Sequence, residues 1–206
     1  MIIVGWLGLS PPAWSKTDDL RPATEYGVNR AILLSADLFA ASYHAPELIQ
    51  AITQAGADVV IATNADQSRR QLAGALLAQG VERNAVKRTF GTYLPHGNIW
   101  LRDYGPLEVR TRSGLESGSL LASFRYEDPA ARVNNHFPAS LAQALHLRLL
   151  SLPLALDGGN LLVAGDLCMT STQEASFTNE GELHSQLSKL GCRKVHLITD
   201  APHAHL

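Results

Sequence analysis

Charge is scarce in this sequence: Asp, Glu, Lys and Arg together make up 17% of its 206 residues. Seventeen basic residues stand against nineteen acidic ones, a net charge of −2. No basic tract interrupts that balance, so the chain lacks the electrostatic footprint of a nucleic-acid or anionic-membrane binder. Cysteine is scarcer still. Cys168 and Cys192 are the two present; they have no metal-ligand spacing, imply no disulfide framework and leave the redox compartment open. The apolar run from Ile2 to Leu9 is far too short to span a bilayer. Ala13-Trp14-Ser15 could pass for a cleavage site, but no Lys or Arg precedes the apolar run, which argues against a secretory signal. The expectation is a lead-in over residues 1–20 of a cytoplasmic protein. A secreted or periplasmic protein is the alternative if residues 1–15 are a signal sequence.

What is present reads as one globular α/β domain, with a hydrophobic fraction of 46%. Ala31–Ala36 and Asp58–Thr63 are apolar on both faces, as buried strands are. Between them, Pro46 suits the first turn of a helix carrying Leu48, Ile49 and Ile52, and Gly56 stops it. Asp66 is the expected cap of a further helix bearing Leu72, Leu76 and Leu77, with a strand expected around Val86–Phe90. Later, Leu107–Arg112 with Leu120–Tyr126, and Leu161–Ala164 with Leu167–Thr172, read as hairpins. Asp128–Pro138 reads as a loop, Ala139–Leu147 as a helix and Leu149–Leu156 as extended. A helix opened by Asn179 and a last strand, Val195–Ile198, complete the pattern. There is no strict repeat, although hairpin, helix and strand follow one another more than once.

The stretch Asn98-Ile-Trp-Leu-Arg-Asp-Tyr-Gly-Pro106 concentrates chemistry that is otherwise thin. Trp100 offers a ring face, and Asp103 can accept paired N–H bonds, the two parts of a receptor for a planar cation. The plainer alternative is a strand entrance, with Trp100 in the core and Arg102 paired to Asp103. In an extended segment the side chains of Arg102 and Asp103 would point to opposite faces.

This stretch resembles the Trp-x-Arg-Asp-x-Gly-Pro signature of the agmatine deiminase and bacterial peptidyl-arginine deiminase family. Leu156-Asp157-Gly158-Gly159-Asn160-Leu161 is similar to the family's Glu-Gly-Gly-Asn block, with Asp where Glu is usual. Gly165–Thr172 with Asn179, and Arg21-Pro22 with Glu25-Tyr26, are similar to further family segments in the same order. The resemblance implies part of a fivefold pseudosymmetric α/β propeller over residues 21–206, lacking its C-terminal part, without metal or organic cofactor. It implies hydrolysis of a guanidino group by a cysteine thiolate, two carboxylates and a histidine. Asp103 matches the first carboxylate and Trp100 the substrate-contacting aromatic. Asp157 is implied as structural or substrate-lining, and Arg125 as a receiver for a substrate carboxylate, with a surface arginine on a strand as the plainer reading. Ala204-His205-Leu206 aligns with the start of the family's Gly-His-x-Asp segment, which makes His205 the candidate proton carrier. Its Asp would fall beyond Leu206.

Neither Cys168 nor Cys192 has the context of the family's nucleophile. The chain therefore resembles the front part of a deiminase, expected to be inactive alone. The implied partner is a small guanidino substrate or a peptide arginine, with homo-oligomerisation possible through uncovered module faces. The alternative is a non-catalytic guanidinium-binding or partner-associating remnant of the fold.

Overall fold

Apolar strands alternating with helices build the first layer, as their patterning requires. The computed structural model describes residues 20–23, 30–111, 119–125, 129–171, 175–176 and 180–198. After β1 (Leu20–Pro22) come β2 (Ala31–Ser35), the short α1 (Leu38–Ala41), α2 (Ala45–Gln54) and β3 (Asp58–Thr63). Helices α3 (Arg69–Ala78) and α4 (Arg83–Lys87) lead into β4 (Thr89–Tyr93). Strands β2, β3 and β4 form a parallel sheet in that order. Ile49, Val59, Ile61, Leu72, Leu76, Val81 and Ala85 pack between this sheet and its helices. Pro46 lies in the first turn of α2 as expected. Gly56 follows that helix at φ +92°, a left-handed conformation that glycine adopts without strain.

Two local expectations are corrected here. The cap of α3 is Ser68, not Asp66: its Oγ accepts from the Gln71 N–H while Gln71 Oε1 accepts from the Ser68 N–H. That reciprocal pair closes a capping box. The strand expected from Val86 begins only at Thr89, because residues 83–87 form α4 and bury Ala85 against the sheet.

The one-turn helix α5 (Leu101–Tyr104) and Pro106 deliver the chain into β5 (Leu107–Thr111) and β6 (Ser119–Arg125), an antiparallel pair as expected. A 3-10 segment (Pro129–His136) runs directly into α6 (Phe137–Ala144), where a loop was expected. Phe137 is fully buried there, and Pro138 occupies the first turn. Strand β7 (Arg148–Leu156) then returns parallel to β6. A 3-10 turn (Gly158–Asn160) precedes the hairpin β8 (Leu162–Ala164) and β9 (Leu167–Ser171). The short β10 (Ala175–Ser176), α7 (Glu180–Ser188) and β11 (Lys194–Ile198) follow. One sheet has the order β1-β5-β6-β7-β10, and the last has the order β11-β9-β8. Asn179 and His205 lie outside the described residues.

The cysteines require the largest correction. Cys168 and Cys192 form a disulfide across a sequence separation of 24. Parallel pairing of β11 with β9 sets Cys168 opposite Val195, and Cys192 stands just before β11. Sequence spacing carries no sign of that juxtaposition. Both cysteines belong to the core formed by Leu154, Leu156, Leu183, Leu187 and Leu190. Among the described residues, no helix is long and apolar enough to cross a membrane.

Candidate guanidinium site

One end of the five-stranded sheet gathers three of the expected site residues. Antiparallel pairing of Leu107 with Ala122 places the residues just before β5 beside the outgoing end of β6. Parallel pairing of β6 with β7 brings Arg125 level with Ala155, two residues before Asp157. Asp103, Arg125 and Asp157 therefore stand at the same sheet end. This is where connections beyond strand termini commonly form ligand sites.

Asp103 and Asp157 approach more closely than topology alone requires. A Cβ built on Gly159 would overlap the Asp103 carboxylate and lie 3.1 Å from Asp157 Oδ1. A Cβ on Gly158 would press within 2.5 Å of the Arg102 carbonyl oxygen. The Gly-Gly pair is thus a point of close approach, where a one-turn helix and a 3-10 turn meet without intervening side chains. The Gly159 N–H donates to Asp157 Oδ1 at 2.8 Å, so one carboxylate oxygen closes its own turn. Asp103 is half-buried, as is Asp157.

The motif segment is helical rather than extended. The Asp103 N–H donates to the Trp100 carbonyl at 3.0 Å, so Trp100 caps the turn that carries Asp103. The expected opposition of Arg102 and Asp103 does not hold in this turn. Arg102 instead crosses to the 3-10 turn, its Nη2 donating to the Leu161 carbonyl at 2.7 Å. Trp100 is 61% exposed, so it is no core residue. Arg125 is exposed at the end of β6. Three residues after Asp157, the side-chain amide nitrogen of Asn160 is buried with no hydrogen-bond partner among the described residues.

No motif marked His96, yet its side chain is fully enclosed. Its backbone N–H donates to Asn64 Oδ1 at 2.8 Å, and the next N–H, of Gly97, donates to Asn134 Oδ1 at 2.7 Å. Among the described residues, no group of three or more His, Cys, Asp or Glu side chains is gathered to hold a metal ion.

The sequence model of the Porphyromonas-type peptidyl-arginine deiminase family matches residues 28–198. Three solved structures share the fold. A C. jejuni agmatine deiminase with substrate bound is 12% identical with a TM-score of 0.68, over 89% of this chain and 57% of its own. A candidate agmatine deiminase is 13% identical with a TM-score of 0.73, over 90% and 56%. A candidate arginine deiminase from Porphyromonas gingivalis is 14% identical with a TM-score of 0.65, over 89% and 58%. The chain thus spans under three fifths of the length of these structures. No curated protein matches it.

Proposed function

Because this chain belongs to the Porphyromonas-type peptidyl-arginine deiminase family, we propose that it is the guanidinium-receiving part of a guanidino deiminase. The observation that carries this reading is the meeting of the Asp103 and Asp157 carboxylates at the bare Cα of Gly159. An alkylguanidinium is planar, permanently charged and rich in N–H donors, so two carboxylates can each take a pair of its hydrogens. In this reading Asp103 is the principal receptor. Asp157 adds its second oxygen, since its first is engaged by Gly159. Trp100 stacks on the cation, Arg125 receives the carboxylate of an arginine substrate, and His205 moves the proton.

The reaction is attack of a thiolate on the guanidinium carbon, departure of ammonia and hydrolysis of the thiouronium to a ureido product. Cys168 and Cys192 are bound to each other, so neither is the thiolate in this reading. This chain holds and orients the cation, and the nucleophile comes from elsewhere. The substrate bound to the C. jejuni relative supports a small guanidino ligand. The three sheets are read as part of the fivefold arrangement that the resemblance implies. A disulfide persists in oxidising compartments, which favours the secreted or periplasmic setting over the cytoplasmic one.

The test is a calorimetric titration with agmatine and an arginine peptide, using putrescine as the diamine control that lacks a guanidinium. The guanidino ligands should bind and putrescine should not. Asp103→Asn should weaken binding by about 2–5 kcal/mol, the cost of leaving a desolvated charge unpaired. Equal binding of agmatine and putrescine, or an unaffected Asp103→Asn variant, would overturn the reading. No ammonia release is expected from this chain alone.

A further inference from the structure

We propose that His96 is a positioning residue that braces the Asn98–Asp103 segment against the sheet, a role that rests on the guanidinium reading of that segment. The ring is enclosed, and both nitrogens are engaged. Nδ1 lies 2.7 Å from the Leu94 carbonyl oxygen, and Nε2 lies 2.7 Å from Ser35 Oγ. A carbonyl only accepts, so Nδ1 carries a proton; in the neutral ring Nε2 then accepts from the Ser35 hydroxyl. Ser35 Oγ in turn accepts from the Asp37 N–H at 3.0 Å. The Asp37 carboxylate stands 3.6 Å from Nε2, beyond hydrogen-bond range, so the Ser35 contact defines the ring's setting. His96 therefore ties the last residue of β2 to the chain leaving β4.

From the same ring a second set of contacts runs to the motif. The His96 ring meets Phe137 edge-on at 6.3 Å between centroids, and Phe137 meets Tyr104 edge-on at 5.4 Å. Tyr104 donates its hydroxyl to the Asn98 carbonyl at 2.7 Å, while Asn98 Oδ1 accepts from the Trp100 N–H at 3.0 Å. The contacts close a circuit from His96 through Phe137, Tyr104 and Asn98 back along the chain to His96. A one-turn helix such as α5 cannot hold its own conformation, because nucleation is costly and few bonds reward it. Its geometry must come from tertiary anchors, and this circuit supplies them in addition to the Gly158-Gly159 contact. Histidine suits the position because one neutral ring offers a donor and an acceptor on opposite edges with an aromatic edge between.

The experiment compares the full chain with His96→Asn, His96→Gln and Ser35→Ala. Asn keeps a donor near the place of Nδ1 but loses Ser35 and Phe137; Gln returns an acceptor near the place of Nε2. We read the Trp100 indole and Asp103 amide resonances, amide exchange, and agmatine affinity. His96→Asn should shift both resonances and weaken agmatine about tenfold or more, the range for a buried polar group left unpaired. Exchange at Ile61 and Leu187, which pack in cores that do not include Phe137 or Tyr104, should stay as in the wild type. His96→Gln should recover most of the affinity, and Ser35→Ala, a minimal deletion, should repeat the effect of Asn in smaller measure. Unchanged Trp100 and Asp103 resonances in both His96→Asn and Ser35→Ala would overturn the proposal. So would a perturbation spread equally to Ile61 and Leu187. If the wild type itself fails to bind agmatine, the guanidinium reading falls, while the two resonances still decide whether His96 positions the segment.

Discussion

The two three-stranded sheets of this chain are held together by different means. In β2-β3-β4 all strands are parallel, and α2, α3 and α4 cover the sheet with fully buried Ile49, Val59 and Ile61. In β11-β9-β8 a hairpin joins one parallel strand, α7 packs nearby, and a disulfide ties β9 to the approach of β11. A sheet with three covering helices can rely on apolar burial. A smaller unit with one such helix gains from a cross-link that limits its unfolded state. The candidate site belongs to neither. It forms where α5 meets the Gly158–Asn160 turn, through glycine Cα atoms and hydrogen bonds rather than a large apolar surface.

The comparison is broken most severely in the first sheet. Ile61→Ala should cost about 2–5 kcal/mol in urea unfolding, the range for emptying a packed core position. A loss below about 1 kcal/mol would show that this sheet is not a tightly packed unit. Next comes the cross-link. The double variant Cys168→Ser/Cys192→Ser should lose about 3 kcal/mol, as expected for releasing a loop of this length. Thiol titration of the unfolded, unreduced wild type should find no free thiol. Two thiols there would remove the difference between the sheets.

Gly158→Ala sharpens the contrast between sheet and site. Its Cβ would meet the backbone of Arg102 and Asp103, which cannot rotate aside, so a loss of about 1–3 kcal/mol in thermal unfolding is expected. Gly74→Ala, inside α3 with nothing within 4 Å of the added Cβ, should instead stabilise by about 0.5–1 kcal/mol. The reverse order would mean that α5 does not rest on the Gly-Gly turn. The smallest effect concerns the cap. Ser68→Ala should cost about 1 kcal/mol and Asp66→Ala less than about 0.5 kcal/mol, read by denaturant midpoints.

Periodicity made the framework legible. The apolar run Asp58–Thr63 is β3 to the residue, and Gly165, at φ +67°, turns the expected second hairpin. Periodicity was silent where two signals compete. Both Asp66 and Ser68 are good caps, and the choice fell to the residue whose third successor, Gln71, could answer its N–H. The Trp100–Asp103 motif was visible as a cluster of rare residue types, but its helical turn was not. A four-residue helix has no periodicity to read. His96 left no mark at all, because a lone histidine before a Gly-Asn pair looks the same whether solvated or enclosed.

By itself the sequence determined the α/β alternation and the main strands and helices. Those features depend on local spacing, and local spacing is written along the chain. Only the tertiary structure decided that Asp103 and Asp157, more than fifty residues apart, share one glycine, and that Cys168 meets Cys192. It also decided that His96 lies between Ser35 and Phe137. Each of these depends on which strand ends become neighbours, and on how closely two backbones approach where no side chain separates them. Strand order settles the first and the bare glycines the second, and neither is written in local spacing along the chain.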